Sequence, residues 1–181
     1  MGNPSGAPVR PPPAPLPGSC PAAVRRCGPS LLLSLALLAA CSSPRPDNLG
    51  ILQGRLAPCP ASPNCVSSDA SGEQGVAPFG LAVDPGRAWH AARGAVAALP
   101  RTRIVSHTPD YLHAECTSAV FGFVDDLELN LRPGAGIIAV RSASRIGYSD
   151  LGVNRRRVET LREALSAQGV TRSPASTPAH P

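Results

Sequence analysis

Between Asp126 and Leu131 leucine takes every second position, at Leu127, Leu129 and Leu131, and the residues between are Asp126, Glu128 and Asn130. A period of two belongs to a β-strand with one apolar and one polar face, because successive side chains leave a strand on opposite sides. Pro133-Gly134-Ala135-Gly136 supplies turn chemistry, and the β-rich run Ile137 to Ser142 returns from it. This hairpin restricts the chain to folds with an antiparallel sheet. Two registers are open to the return strand. One points Ile138 and Val140 inward with Ser142 and leaves Arg141 beside Glu128 or Asp126; the other buries Ile137, Ala139 and Arg141. The first is expected, since an unpaired buried arginine is expensive.

Two shorter β-rich segments precede the hairpin, near Thr102 to Ser106 and Tyr111 to Thr117, joined through Thr108-Pro109-Asp110. Helical spacing appears on either side of the strands. Asp84-Pro85 combines a capping carboxylate with a proline suited to the first helical position, and Trp89, Ala92, Val96 and Leu99 then share one face before Pro100. His90 lies off that face. A second helix is expected over about Asn154 to Ala167, with Val158, Leu161 and Leu165 at core spacing. Its first turn carries Arg155, Arg156 and Arg157, the unfavourable end of the helix dipole for positive charge, so an acid should face them. Asp150 and Glu159 are the local candidates, Asp125 and Asp126 the distant ones. The expected fold class is α+β, a four-stranded antiparallel β-meander flanked by two helices.

The residues before this domain carry a different signal. Residues 1–23 are Pro-rich without apolar periodicity; Arg25-Arg26, the apolar run Leu31 to Ala40 and then Cys41 follow. A basic region, a short apolar region and small residues at its end describe an export signal, and the run is shorter than the about 20 residues needed to span a bilayer. Leu38-Ala39-Ala40-Cys41 resembles the lipoprotein box of bacteria, in which the cysteine is acylated. Several acyl chains on one residue hold a protein stably to a membrane, and Ser42 resembles the sorting pattern for the outer membrane. The expected organisation is a signal segment at 1–40, lipidated Cys41 with a tether to 56, a globular domain at 57–168 and a disordered tail at 169–181. All 17 basic residues are arginine, as coding bias in a GC-rich genome produces, so their number says little about function. Without Arg10, Arg25 and Arg26 there are 14 against 12 acids, a balance that gives no reason to expect a nucleic-acid partner.

Cys59 and Cys65 bracket a Pro-rich loop, and in an oxidising compartment they are most simply a disulfide, a small ring that stabilises by about 2 kcal/mol. A bond to Cys116 is the other arrangement. No ligand set for a metal accompanies the pair, and its spacing is not that of a redox motif, so neither metal nor cofactor is expected.

Five segments resemble one known family: Pro58-Cys59-Pro60, Ser62 to Ser68, Tyr111 to Glu115, Phe121 to Glu128, and Val140 to Arg155, the last reading VRSASRIGYSDLGVNR. The chain resembles the domain of unknown function 1499 over about residues 56 to 166. The resemblance implies a setting behind an export signal and implies no activity.

Asp125, Asp126, Arg141, Ser142, Ser144, Arg145, Tyr148, Asp150, Asn154 and Arg155 concentrate the polar chemistry of the chain and are the candidate binding residues. Arg141 and Arg145 suit a carboxylate or phosphate, with serine hydroxyls as further donors. The same charges also suit an ion-pair network tying the hairpin to the second helix. The function expected from these residues is a non-catalytic binding or scaffolding module on the periplasmic face of the outer membrane. Its expected partners are the membrane, through the lipid anchor, and a small anionic ligand or an envelope protein. The alternative is a periplasmic hydrolase using His113 or the Asp125 and Asp126 pair as acid and base. Adjacent strand residues face opposite ways, which works against that pair, and no Gly-x-Ser-x-Gly elbow marks a nucleophile. Neither expected helix combines a basic face with a long apolar one, so membrane contact is expected from the anchor alone.

Overall fold

The computed structural model describes residues 43–172; the expected export segment, Cys41 and the last nine residues lie outside the described residues. A six-stranded antiparallel sheet carries two helices on its apolar face. Its strands are β3 (Cys65–Ser67), β4 (Phe79–Gly80), β5 (Thr102–His107), β6 (Tyr111–Thr117), β7 (Val124–Arg132) and β8 (Ile137–Ser144). The order is β3-β8-β7-β6-β5, with β4 also paired to β8. A separate two-stranded hairpin joins β1 (Ile51–Leu52) to β2 (Arg55–Leu56). The helices are α1 (Pro85–Ala97) and α2 (Val153–Ala167).

The meander β5 to β8 follows the expected segments closely, but the sheet has six strands where four were expected, and a second small sheet exists. The two additional strands have three and two residues, too short to show alternation. They form because the free edge of β8 offers unpaired backbone groups, which β3 satisfies opposite Arg141 to Ala143 and β4 opposite Ile137 and Ile138.

The register of the central hairpin places Glu128 opposite Arg141 and Leu129 opposite Val140. Leu127, Leu129, Leu131, Ile138 and Val140 therefore meet Trp89, Ala92 and Val96 of α1 and Val158, Leu161 and Leu165 of α2 in one core. Asp84 caps α1 by accepting from the Arg87 amide at 2.9 Å, and His90 is exposed. Arg162, on the core side of α2, is held by the carbonyls of Ala77 and Pro78 and lies 4.9 Å over the ring of Phe79.

Both flanks of the 57–168 span bond to it. Ser43, Gly50 and Leu56, in the stretch expected to be a tether, take hydrogen bonds from or give them to Arg145, Glu128 and Asp69. Residues 43–57 thus form a strap across the polar face of the sheet. At the other end Val170 and Thr171 are buried, and Thr171 bridges Leu81. Cys59 and Cys65 are joined, with Cα atoms 5.7 Å apart, and Cys116 is a buried free thiol.

Candidate functional site

Alternation along β6, β7 and β8 sends His113, Glu115, Asp126, Glu128 and Arg141 to the face away from the helices. In an open sheet that face would be wet; here it is closed. Arg141 is only 2% exposed, His113 and Glu128 are fully buried, and Asp126 is nearly so. Burial of this much charge requires partners, and the register supplies them. Arg141 Nη1 donates to Glu128 Oε2 at 2.7 Å. Glu128 Oε1 accepts from the Tyr111 hydroxyl and from the Gly50 amide of the strap, each at 2.7 Å. Arg145 donates to both oxygens of Asp126, to Glu115 Oε1 at 2.6 Å and to the Ser43 carbonyl at 2.9 Å. His113 Nε2 lies 2.7 Å from Asp126 Oδ1. Farther along the same face, Arg132 grips both oxygens of Asp69, which also accepts from the Leu56 amide.

A second polar cluster occupies the helix side of the sheet, at its other surface. Asn154, fully buried at the start of α2, accepts from Ser142 Oγ at 2.7 Å and from Arg157 Nη1 at 2.6 Å. Its amide nitrogen donates to the Asn64 carbonyl and to Ser144 Oγ, each at 3.0 Å. Arg157 Nη2 meets Asp125 Oδ2 at 2.6 Å. Asp150 accepts from the amides of Gly152 and Asn154, capping the helix from outside because Gly152 has no side chain to do so.

The ten candidate residues are thus divided by the sheet. Asp126, Arg141 and Arg145 share the strap face. Asp125, Ser142, Ser144, Asp150 and Asn154 share the helix side with Arg157. Tyr148 is exposed, and Arg155 reaches the carbonyls of Glu73 and Gly75. Asp125 and Asp126 share no pocket, because adjacent strand residues point to opposite faces. The three arginines at the head of α2 find one acid, Asp125, and otherwise use carbonyl oxygens and the Ser142 hydroxyl, with Arg156 donating to Leu151. The candidate set omitted Glu128, Glu115, Tyr111, Arg157 and Asn64, which complete the two clusters. Glu128 was legible, with Asp126 as the other choice, as a neighbour of Arg141, and Arg157 as the residue three beyond Asn154 on a helix; Asn64 stood only within the family-like segment Ser62 to Ser68.

Arg145 has every guanidinium nitrogen engaged. Arg141 does not: its Nε is buried without a partner, as is Nδ1 of His113. Arg141 lines a cavity of about 200 Å³ with Asp126, Ala143, Arg145, Pro46 and Asn48, so the strap forms one of its walls.

Three carboxyls on this face, those of Asp69, Glu115 and Asp126, titrate low. The Arg132 hydrogen bonds hold Asp69 below the usual range, and the Arg145 hydrogen bond does the same for Glu115. Burial pushes Asp126 up, but hydrogen bonds from His113 and Arg145 together outweigh it and leave the carboxyl low. Burial, then Glu128, raises Tyr111, and burial raises Cys116, which therefore stays a thiol and a poor nucleophile. Because the three acids titrate lower folded than unfolded, their stabilisation is complete above the ordinary carboxylate range and is lost as pH falls through the folded values. Melting followed by circular dichroism should keep a level midpoint from pH 7 to about 5 as far as these acids contribute, then fall below about pH 4. A level midpoint through that acid range would contradict the pairing.

The family described as Protein of unknown function (DUF1499) matches residues 55–165. No curated protein and no solved structure matches the chain.

Proposed function

The chain belongs to the DUF1499 family of proteins of unknown function, and from its geometry we propose a non-catalytic binding module of the cell envelope. In this reading Cys41 is acylated and the domain stands on the periplasmic face of the outer membrane. The observation that carries the binding role is Arg141. Its guanidinium is 2% exposed and bonds to Glu128 through one nitrogen, while its buried Nε has no partner, and the residue lines the cavity that the strap helps to wall. An unsatisfied buried donor costs about 1–3 kcal/mol, which an acceptor in the cavity recovers. Carboxylate and phosphate oxygens suit a guanidinium edge, and the volume limits the ligand to a small anion.

Native mass spectrometry of the membrane-extracted protein tests this. An adduct lost on denaturation and absent from Ala143→Leu, which fills the cavity without touching the ion pairs, is the expected result. A clean mass in both proteins would remove the ligand and leave scaffolding of an envelope protein. A hydrolase is the second reading, favoured by the 2.7 Å pairing of His113 with Asp126. The imidazole is wholly enclosed, so a substrate would reach it only if its cover moved.

A further inference from the structure

We propose that the β6–β7 and β8–α2 loops form an apolar surface that seats in the same lipid leaflet that holds the acylated Cys41. The proposal rests on the lipidation read above. Val120, Phe121, Phe123, Ile146, Tyr148 and Leu151 are exposed there, Phe121 at 68%, Tyr148 at 76% and Leu151 at 84%. The chain has only three phenylalanines and two tyrosines, so this one end of the sheet displays three of its five such rings to solvent. Single exposed apolar residues are ordinary, but a group of them marks a contact surface.

The two loops are one surface. The Arg145 amide donates to the Val124 carbonyl, Phe121 stacks on Phe123 at 5.4 Å, and Phe123 lines a shallow pocket with Ile146 and Val153. Residues 118–124 contain no charge, and residues 146–153 contain only Asp150, whose carboxylate is occupied in capping α2. Leu151 has φ +54°, a left-handed conformation that disfavours branched and bulky side chains. A glycine or asparagine would relieve that strain, yet a leucine stands there with its side chain in solvent.

Several partners suit an apolar surface; the position of the strap selects the lipid. Arg145, which immediately precedes Ile146, holds the Ser43 carbonyl at 2.9 Å. Cys41 is two residues from Ser43, a reach of about 7 Å in extended chain. Acyl chains on Cys41 therefore bring the bilayer surface to this end of the domain. Tyrosine and other aromatic side chains suit the headgroup boundary, and Arg156 and Arg101, anchored to the carbonyls of Leu151 and Thr117, stand beside the loops for lipid phosphates. An amphipathic helix shows membrane affinity by its periodicity, whereas loop residues have no period.

The test uses the mature lipoprotein reconstituted in phosphatidylethanolamine and phosphatidylglycerol vesicles with brominated acyl chains. Phe121→Trp places a reporter in the patch. Gly134→Trp places one in the opposite turn, where an added Cβ meets nothing within 4 Å. Buried Trp89 adds the same background to both. The Phe121→Trp reporter should lose at least about half its intensity, because loops seated at the acyl boundary lie within reach of the bromines, and the Gly134→Trp reporter should be unchanged. Equal intensities with an intact mass that shows acylated Cys41 would overturn the loop contact and leave the anchor standing. A mass without acyl chains would overturn both. Absence of quenching together with a two-chain native mass that Phe121→Ser abolishes would assign the patch to a second copy instead.

Discussion

Glu128→Ala should cost about 3–5 kcal/mol of folding free energy, the range for removing one partner of a buried ion pair. The substitution strips the counter-charge from Arg141 and also leaves the Tyr111 hydroxyl and the Gly50 amide without their acceptor. The desolvated guanidinium, rather than the lost contact, dominates that cost. Urea denaturation measures it as a fall in midpoint, with the slope unchanged if the strap stays in place and reduced if the strap detaches in the native state. Glu128→Leu combined with Arg141→Met removes both charges at similar volume and should recover most of the loss. A single substitution that cost less than about 1 kcal/mol would mean that water reaches the layer, as at an exposed pair.

Asn154→Ala is expected to cost about 2–4 kcal/mol, from the penalty of about 1–3 kcal/mol for each buried group left unpaired. Four partners lose a bond at once, the hydroxyls of Ser142 and Ser144, the Asn64 carbonyl and Arg157, although the Asn64 carbonyl keeps the Ser144 amide and Arg157 keeps Ser142 and Asp125. Three of these belong to β8 and the disulfide loop or their immediate flanks, so the residue ties those elements to the head of α2. Asn154→Asp retains the acceptor for Arg157 but turns a carboxylate oxygen towards the Asn64 carbonyl, and it should recover little. Hydrogen exchange separates a local from a global effect. Amides of the first turn of α2 should lose protection in Asn154→Ala more than those of β7, since the arginines there already oppose the helix dipole. Uniform loss across both elements would show that the cluster supports the whole domain.

The central hairpin was legible because its period of two is uninterrupted and because burying an unpaired Arg141 is costly; those two arguments lead to Glu128 or Asp126 as its partner, and the register selects Glu128. The helices were legible from the spacing of Trp89, Ala92 and Val96, and of Val158, Leu161 and Leu165. What the sequence concealed was the fate of the polar face. Alternation tells which side chains leave the core, but says nothing of what lies beyond them, and the strap that covers them mixes prolines, glycines and polar residues with Leu49, Ile51, Leu52 and Leu56 at no regular period. The division of the candidate residues has a related cause. Ser142 and Ser144 are two apart and share a face, whereas Arg141 and Arg145, close in sequence, are brought to the opposite one by the parity of the strand and the bend that ends it. Short strands β3 and β4 exist only as partners for the β8 edge, and a segment of two or three residues has no pattern of its own to read.

The strap also imposes an order in time. Ser43 and Gly50 bond to residues 102 and 78 positions downstream, so the first part of the domain to be synthesised is among the last to be placed. Until β7 and β8 are paired, Glu128, Asp126 and Arg141 have no roof, and closing so long a loop is entropically dearer than forming any hairpin in the meander. A strap that must wait for its seat is free in the interval.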